Sequence, residues 1–190
     1  RNPGGGPFLS GGQPVRPVKT LTGGHAMRFL NILGLILSLI LISSCAQKFR
    51  TYDGPAVTAI IVYKAERRMI LLHDNQILKE YPIALGTYPV GDKKVEGDGK
   101  TPEGAYFIDR RNPNSTYYLS LGISYPNDQD RAEAKALGKP PGGDIFVHGR
   151  AGSAKKRAGD WTVGCIAITD KQMSEMYSMV QIGTPIFIKP

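Results

Sequence analysis

The chain has 190 residues, enough for one ordinary domain and too few for two comfortable ones. Apolar residues make up 41% and charged residues 21%, so most of it can bury a core, and the composition speaks against a multi-span membrane protein. Lys and Arg number 24 against 16 Asp and Glu, yet half of that excess sits on Arg1, Arg16, Lys19 and Arg28 in the acid-free stretch 1–45. The remainder is spread thinly over a whole domain, which argues against a dedicated nucleic-acid binder.

Residues 1–26 are Gly- and Pro-rich without apolar periodicity, and they read as disordered, upstream or non-native sequence. Met27 then opens an export signal over 27–45. Arg28 gives a positive flank, Phe29 to Ile42 is an apolar run broken by Asn31, Gly34 and Ser38, and Ser43-Ser44-Cys45 follows. As a helix that run reaches about 21 Å, short of a ~30 Å hydrocarbon core. Leu41-Ile42-Ser43-Ser44-Cys45 resembles a bacterial lipobox, which implies lipidation of Cys45 and a membrane anchor. An uncleaved anchor or a plain signal is the alternative, and each places the domain outside the cytoplasm. With Cys45 lipidated, Cys165 has no partner in an oxidising compartment. It is then a small buried hydrophobe or a nucleophile; a Cys45–Cys165 disulfide would tie the domain to its own signal.

Residues 46–56 are a polar tether, and 57–190 form the domain. Val57 to Tyr63 is a β-branched strand. Met69 to His73 and Gln76 to Leu85 flank Asp74-Asn75, a hairpin turn. Tyr88 to Gly104 is an irregular loop, and Ala105 to Asp109 and Tyr117 to Ser124 are strands. Asp128 to Leu137 is a short helix with Asn127 as N-cap and Gly138 as its stop. Asp144 to His148 is a strand, 150–160 a basic loop, and Gly164 to Ile168 another strand. Thr169 and Gln172 form a capping box for a helix reaching Val180, with Met173, Met176, Tyr177 and Val180 on its core face. Pro185 to Lys189 is the last strand. The expected fold is mainly β, a sandwich or partly closed barrel with two short helices.

Reactive chemistry concentrates in Ile145-Phe146-Val147-His148-Gly149 and Asp160-Trp161-Thr162-Val163-Gly164-Cys165. An imidazole within reach of a thiol lowers the thiol's pKa and later protonates a leaving amine. Glycines beside the nucleophile let a carbonyl approach backbone N–H groups that stabilise an oxyanion. Spacing alone leaves two unrelated residues as an equal alternative. His73 reads as an ordinary surface histidine. Asp144 and Asp160 read as turn caps in preference to groups that orient the site, and Trp161 as either a site wall or core. No metal-ligand cluster, phosphate loop or cofactor motif is present in the sequence.

His148-Gly149, a spacer, and Thr162-Val163-Gly164-Cys165 resemble the catalytic motif of L,D-transpeptidases with a YkuD-type domain. Gly97-Asp98-Gly99-Lys100-Thr101-Pro102-Glu103-Gly104 and Pro141-Gly142-Gly143-Asp144-Ile145 add to the likeness, which runs from Val57 to Ile188. The resemblance implies Cys165 as a thioester-forming nucleophile and His148 as its base. Gly149 would orient His148, and backbone N–H groups around Gly164 and Cys165 would form the oxyanion hole. Arg150, Trp161 and Thr162 would contact substrate. The implied partner is the stem peptide of peptidoglycan, and no cofactor, metal or nucleic acid is implied. Two positions depart from the family: Val163 replaces a common His, and Ala167 a common Arg or Asn. Arg150 or Lys155-Lys156-Arg157 could supply the charge that Ala167 lacks. The acceptor is left open between an amine, giving a transpeptidase, and water, giving an amidase or carboxypeptidase. A wall-binding module without catalysis is the rival from another class.

Overall fold

The computed structural model describes residues 48–152, 154 and 157–190. The segment 1–26, the expected signal, Cys45 with the lipid anchor expected on it, and Lys155 and Lys156 lie outside the described residues. Eight strands and two helices are present in the order β1 Ala59–Tyr63, β2 Arg68–His73, β3 Gln76–Pro82, β4 Gly104–Asn112, β5 Ser120–Ile123, α1 Asp128–Ala136, β6 Phe146–His148, β7 Ile166–Ala167, α2 Asp170–Met179 and β8 Pro185–Lys189. They form one sheet in the order β3-β2-β1-β8-β4-β5-β6-β7, antiparallel except for the β1–β8 and β6–β7 pairs. The fold is mainly β with two short helices, and its sheet curls into a half-barrel.

Alternation decides which face is inside. Ile60 and Val62 of β1, Tyr106 and Ile108 of β4, and Ile186 and Ile188 of β8 point inward and are buried. They pack with Met173, Met176 and Val180 of α2 in one core. Both helices begin with reciprocal caps. Asn127 pairs with Asp130 and Thr169 with Gln172, satisfying N–H groups at each start. Gly138 follows α1 at φ 67°, the stop expected of it.

Two expected strands change where the sheet must close. The chain leaves β3 at Pro82, and Ile83 to Thr87 turns to run along the Asp160–Ala167 segment instead. Ala84 N donates to Ala167 O at 2.9 Å, and Ala167 N returns a bond to Ala84 O at 2.8 Å. Leu85 O accepts from both Trp161 N and Thr162 N, at 3.1 and 3.0 Å. The second change is at Tyr117 and Tyr118, expected in β5. Leu119 N donates to Tyr117 O at 3.2 Å across Tyr118, whose φ is 81°. That is a γ-turn of the strained, positive-φ kind, and a ladder cannot continue through it.

Candidate active site

The parallel register of β6 and β7 sets the geometry. Val147 pairs with Ile166 and His148 with Ala167, so Cys165, one step earlier, stands opposite Phe146. Val147 and Ile166 are buried in the core. Their flanking positions therefore face the other way, and His148 and Cys165 share one face. Strands ~4.8 Å apart and ~3.3 Å per residue place their α-carbons roughly 8 Å apart, within the combined reach of the two side chains. Both line one cavity of about 300 Å³ with Asn112, Ser115, Thr116, Tyr117, Ser120, Asp144 and Phe146. A second hollow of about 190 Å³, lined by Lys93, Glu96, Gly142, Val163 and others, meets the first at Asp144 and Cys165. The thiol is thus approachable from two sides.

His148 is 4% exposed. The Tyr117 ring stacks on it at 4.6 Å and 27°, and Trp161 meets it edge-on at 5.7 Å. Its Nδ1 lies 2.7 Å from Gly149 O. A carbonyl only accepts, so Nδ1 carries the proton and Nε2 keeps the lone pair. Burial pushes the His148 pKa below its ordinary value, against the Gly149 hydrogen bond, and nearby Arg150 adds to the lowering. The imidazole rests neutral.

The Cys165 thiol donates to Asp144 O at 3.6 Å, with the Phe146 N–H close enough to favour its charged form. Pairing with His148 was expected to lower its pKa; the resting site does the opposite. Loss of solvent raises it, Asp144 adds to the rise, and Phe146 N–H and Lys93 offset only part. A neutral imidazole supplies no positive charge to hold a thiolate, so the resting pair is thiol and imidazole.

The turn before Cys165 explains the local sequence. Thr162 is buried; its hydroxyl donates to Cys165 O at 2.7 Å and accepts from Gly164 N at 3.2 Å. Read from the sequence as a substrate contact, it serves here to hold the nucleophile's turn. Gly164 has φ 131°, and a Cβ there would lie 2.7 Å from Lys100 O. Its N–H is spent on Thr162, whereas for the Cys165 N–H no acceptor stands among the described residues.

Trp161 walls the histidine and carries Arg157 over its ring at 5.1 Å. Arg150 sends Nη1 to Arg157 O at 2.7 Å, and its backbone N donates to Asp170 Oδ1 at 2.6 Å. Asp160 receives Arg67 at 2.7 Å and accepts from Leu85 N at 2.8 Å. His73 sits away from the cavity, its Nδ1 2.8 Å from Ala56 O. Tyr117 and Asp144 line the cavity, although the family likeness implies neither. Tyr117 stands beside a turn-prone Asn-Pro-Asn-Ser run, and Asp144 adopts φ 54° after two glycines. Those local signals mark both as irregular backbone.

The chain matches the profile of the YkuD family, the L,D-transpeptidase catalytic domain, over residues 57–188. It is 31% identical over 137 residues to YafK of Escherichia coli K12, an L,D-transpeptidase by name, covering 69% of this chain and 50% of that protein. Among solved structures it is similar to the helical cell shape determining protein Pgp2 of Campylobacter jejuni. That likeness has 30% identity and a TM-score of 0.56, over 73% of this chain and 49% of Pgp2. It is also similar to Bd1075 of Bdellovibrio bacteriovorus, at 26% identity and TM-score 0.52 over 74% and 50%. The chain spans about half the length of these relatives. With the family profile matched across the sheet, both helices and the His148–Cys165 face, the chain belongs to the YkuD family of L,D-transpeptidase catalytic domains.

Proposed function

We propose that this protein is a cysteine acyltransferase acting on peptidoglycan stem peptides in the bacterial envelope, where Cys45 anchors it to a membrane through lipid. The observation that carries the reading is the pairing of a thiol and a neutral imidazole on one sheet face, lining one cavity. As Cys165 Sγ attacks a stem-peptide amide carbonyl, an S–C bond forms and the thiol proton passes to His148 Nε2. The oxyanion is met by the Cys165 N–H. Collapse breaks the C–N bond, and the imidazolium returns its proton to the leaving amine, leaving a thioester.

An amine then attacks the thioester. Its proton goes to His148, the C–S bond breaks, and the thiolate is reprotonated. The two hollows that meet at Cys165 support this two-substrate order, one side holding the acyl chain and the other the acceptor. Arg157, over the Trp161 ring, and Arg150, bonded to Arg157 O, are the cations that would meet a substrate carboxylate in this reading. Ala167 favours a second reading, hydrolysis. It is fully buried and paired to Ala84, so β7 lends the acceptor side no charged side chain.

Incubation of the protein with purified disaccharide-tetrapeptides, with and without an amine, followed by mass analysis, separates these outcomes. Cross-linked or amine-exchanged products support transfer, and shortened stems alone support hydrolysis. Unchanged peptides would leave a binding module. For the anchor, Cys45→Ala is expected to release the protein from membranes with its intrinsic turnover intact; continued fractionation with lipid would remove the lipobox reading.

A further inference from the structure

Contacts remote from the nucleophile tie the start of the described chain to the wall of the catalytic cavity. Lys48 Nζ donates to Pro113 O at 2.7 Å and lies 5.5 Å from the centre of the Tyr118 ring. Lys48 O accepts from Ser174 Oγ at 2.9 Å. Ser174, 2% exposed on α2, also meets the Tyr118 hydroxyl at 2.8 Å. Ser174 spends its single proton on Lys48 O, so the Tyr118 hydroxyl is the donor in that bond.

We propose that Lys48, Ser174 and Tyr118 are positioning residues for His148: they clamp the γ-turn at Tyr118, and the turn holds the Tyr117 ring against the imidazole. This rests on the reading of His148 as the base for Cys165. A tyrosine at φ 81° persists only where its surroundings over-determine it. Here the ring is held by a cation, the hydroxyl by a buried serine, and the loop before it by Pro113 O. Each hold leads back to Lys48. The turn grips the histidine twice, through the Tyr117 stack at 4.6 Å and through Gly149 N donating to Leu119 O at 3.2 Å. Ser174 is otherwise a hydroxyl among methionines, an expensive choice for a core position unless its bonds are used.

The groups facing the imidazole are Tyr117 from the turn, Trp161 and Cys165 from the catalytic loop and Arg150 from its own strand. Asp170 of α2 stands behind, through Arg150 N. Loosening the turn changes only the first of these. It admits water to the ring and misplaces Nε2.

The test uses the full chain and a substrate-free readout. The rate of Cys165 alkylation by iodoacetamide, mapped to that residue by peptide mass, is followed from roughly pH 5 to pH 9. Tyr118→Phe and Ser174→Ala should each slow alkylation about fivefold near neutrality, the worth of one hydrogen bond, and move the acid limb to higher pH. Lys48→Ala should shift both in the same direction. Ser174→Thr, which keeps the hydroxyl, should restore the parent profile. Tyr52→Phe, in the same N-terminal strap but bonded only to Pro55 O, should match the parent.

Circular dichroism melts confirm that each variant is folded at the assay temperature. If Ser174→Ala does not fold, Tyr118→Phe and Lys48→Ala decide the matter. Parent-like rates and limbs in folded Tyr118→Phe and Lys48→Ala overturn the proposal. Shifted alkylation profiles in a chain that leaves stem peptides untouched would uphold the clamp and count against the proposed reaction.

Discussion

The Tyr117 ring covers the His148 imidazole, 4.6 Å away and tilted by 27°, although Tyr117 itself is 39% exposed. The tyrosine is therefore a lid on the imidazole, with its outer face in water. Tyr117→Ala should let solvent reach the imidazole and bring its lowered pKa back up toward ~6.5. A base works only when neutral, so the acid limb of the kcat/KM profile should move to higher pH, with the largest losses below neutrality. A limb that stays put or moves down would show that the stack does not keep His148 dry.

His148→Gln keeps much of the volume but cannot exchange a proton near neutrality. General acid–base assistance is typically worth ~10²–10⁴-fold, so turnover should fall by at least the lower end of that range. His73→Gln, remote from the cavity, should change turnover by less than about threefold. Equal losses in the two variants, measured side by side, would transfer the base role away from His148.

Cys165→Ala should abolish turnover and leave the fold intact, because the side chain is small and lies at the cavity wall rather than in the core. A carbapenem should acylate Cys165, since opening its strained lactam gives the thiol an electrophile without a peptide substrate. The expected reading is one added drug mass in the parent and none in Cys165→Ala. Because burial raises the thiol's pKa, simple alkylation should keep accelerating above the ordinary thiol range of ~8.5. A plateau below that range would mean that a thiolate is already stored in the resting site.

Arg67 and Asp160, 93 positions apart, form a two-pronged ion pair, with Arg67 Nε and Nη2 both donating to the carboxylate. The same carboxylate caps Leu85 N at 2.8 Å, so it joins the β1–β2 hairpin to the loop carrying Trp161 and Cys165. Asp160→Ala leaves a backbone N–H and a half-buried guanidinium without their acceptor. The expected cost is about 1–2 kcal/mol, discounted for the partial exposure of Arg67. Denaturant melts should show it, together with slower Cys165 acylation. Unchanged stability would reduce the pair to a surface contact.

Much of this architecture is legible in the sequence because it is local. The Asn127 and Thr169 caps, the Asp74-Asn75 turn and the core face of α2 each depend on residues within a few positions. The Cys165–His148 pairing is legible through motif and family likeness, while the position of their proton is not. It depends on how much water Tyr117, Trp161 and the strand edges exclude, which is a sum over distant residues. Strand propensity carries Tyr117–Tyr118 and Ile83–Leu85 into strands, and long-range closure overrides it at both. Thr162 shows the same limit: a hydroxyl beside a nucleophile looks free until its two bonds within the turn are seen.

The reciprocal bonds between Ala84 and Ala167 have a consequence for how activity arises. The nucleophile stands two residues from a seam joining the first hairpin's exit to the last part of the chain but one helix and one strand. Those partners are 83 positions apart, so their meeting is a closure of large sequence separation and correspondingly slow. Until then Leu85 O cannot hold Trp161 and Thr162, and the turn that presents the thiol has no floor. A partly folded or truncated chain, however much sheet it contains, therefore carries a cysteine without a reactive setting. The reactivity of Cys165 is thereby tied to closure of this seam, and an acylating probe of Cys165 doubles as a reporter of that closure.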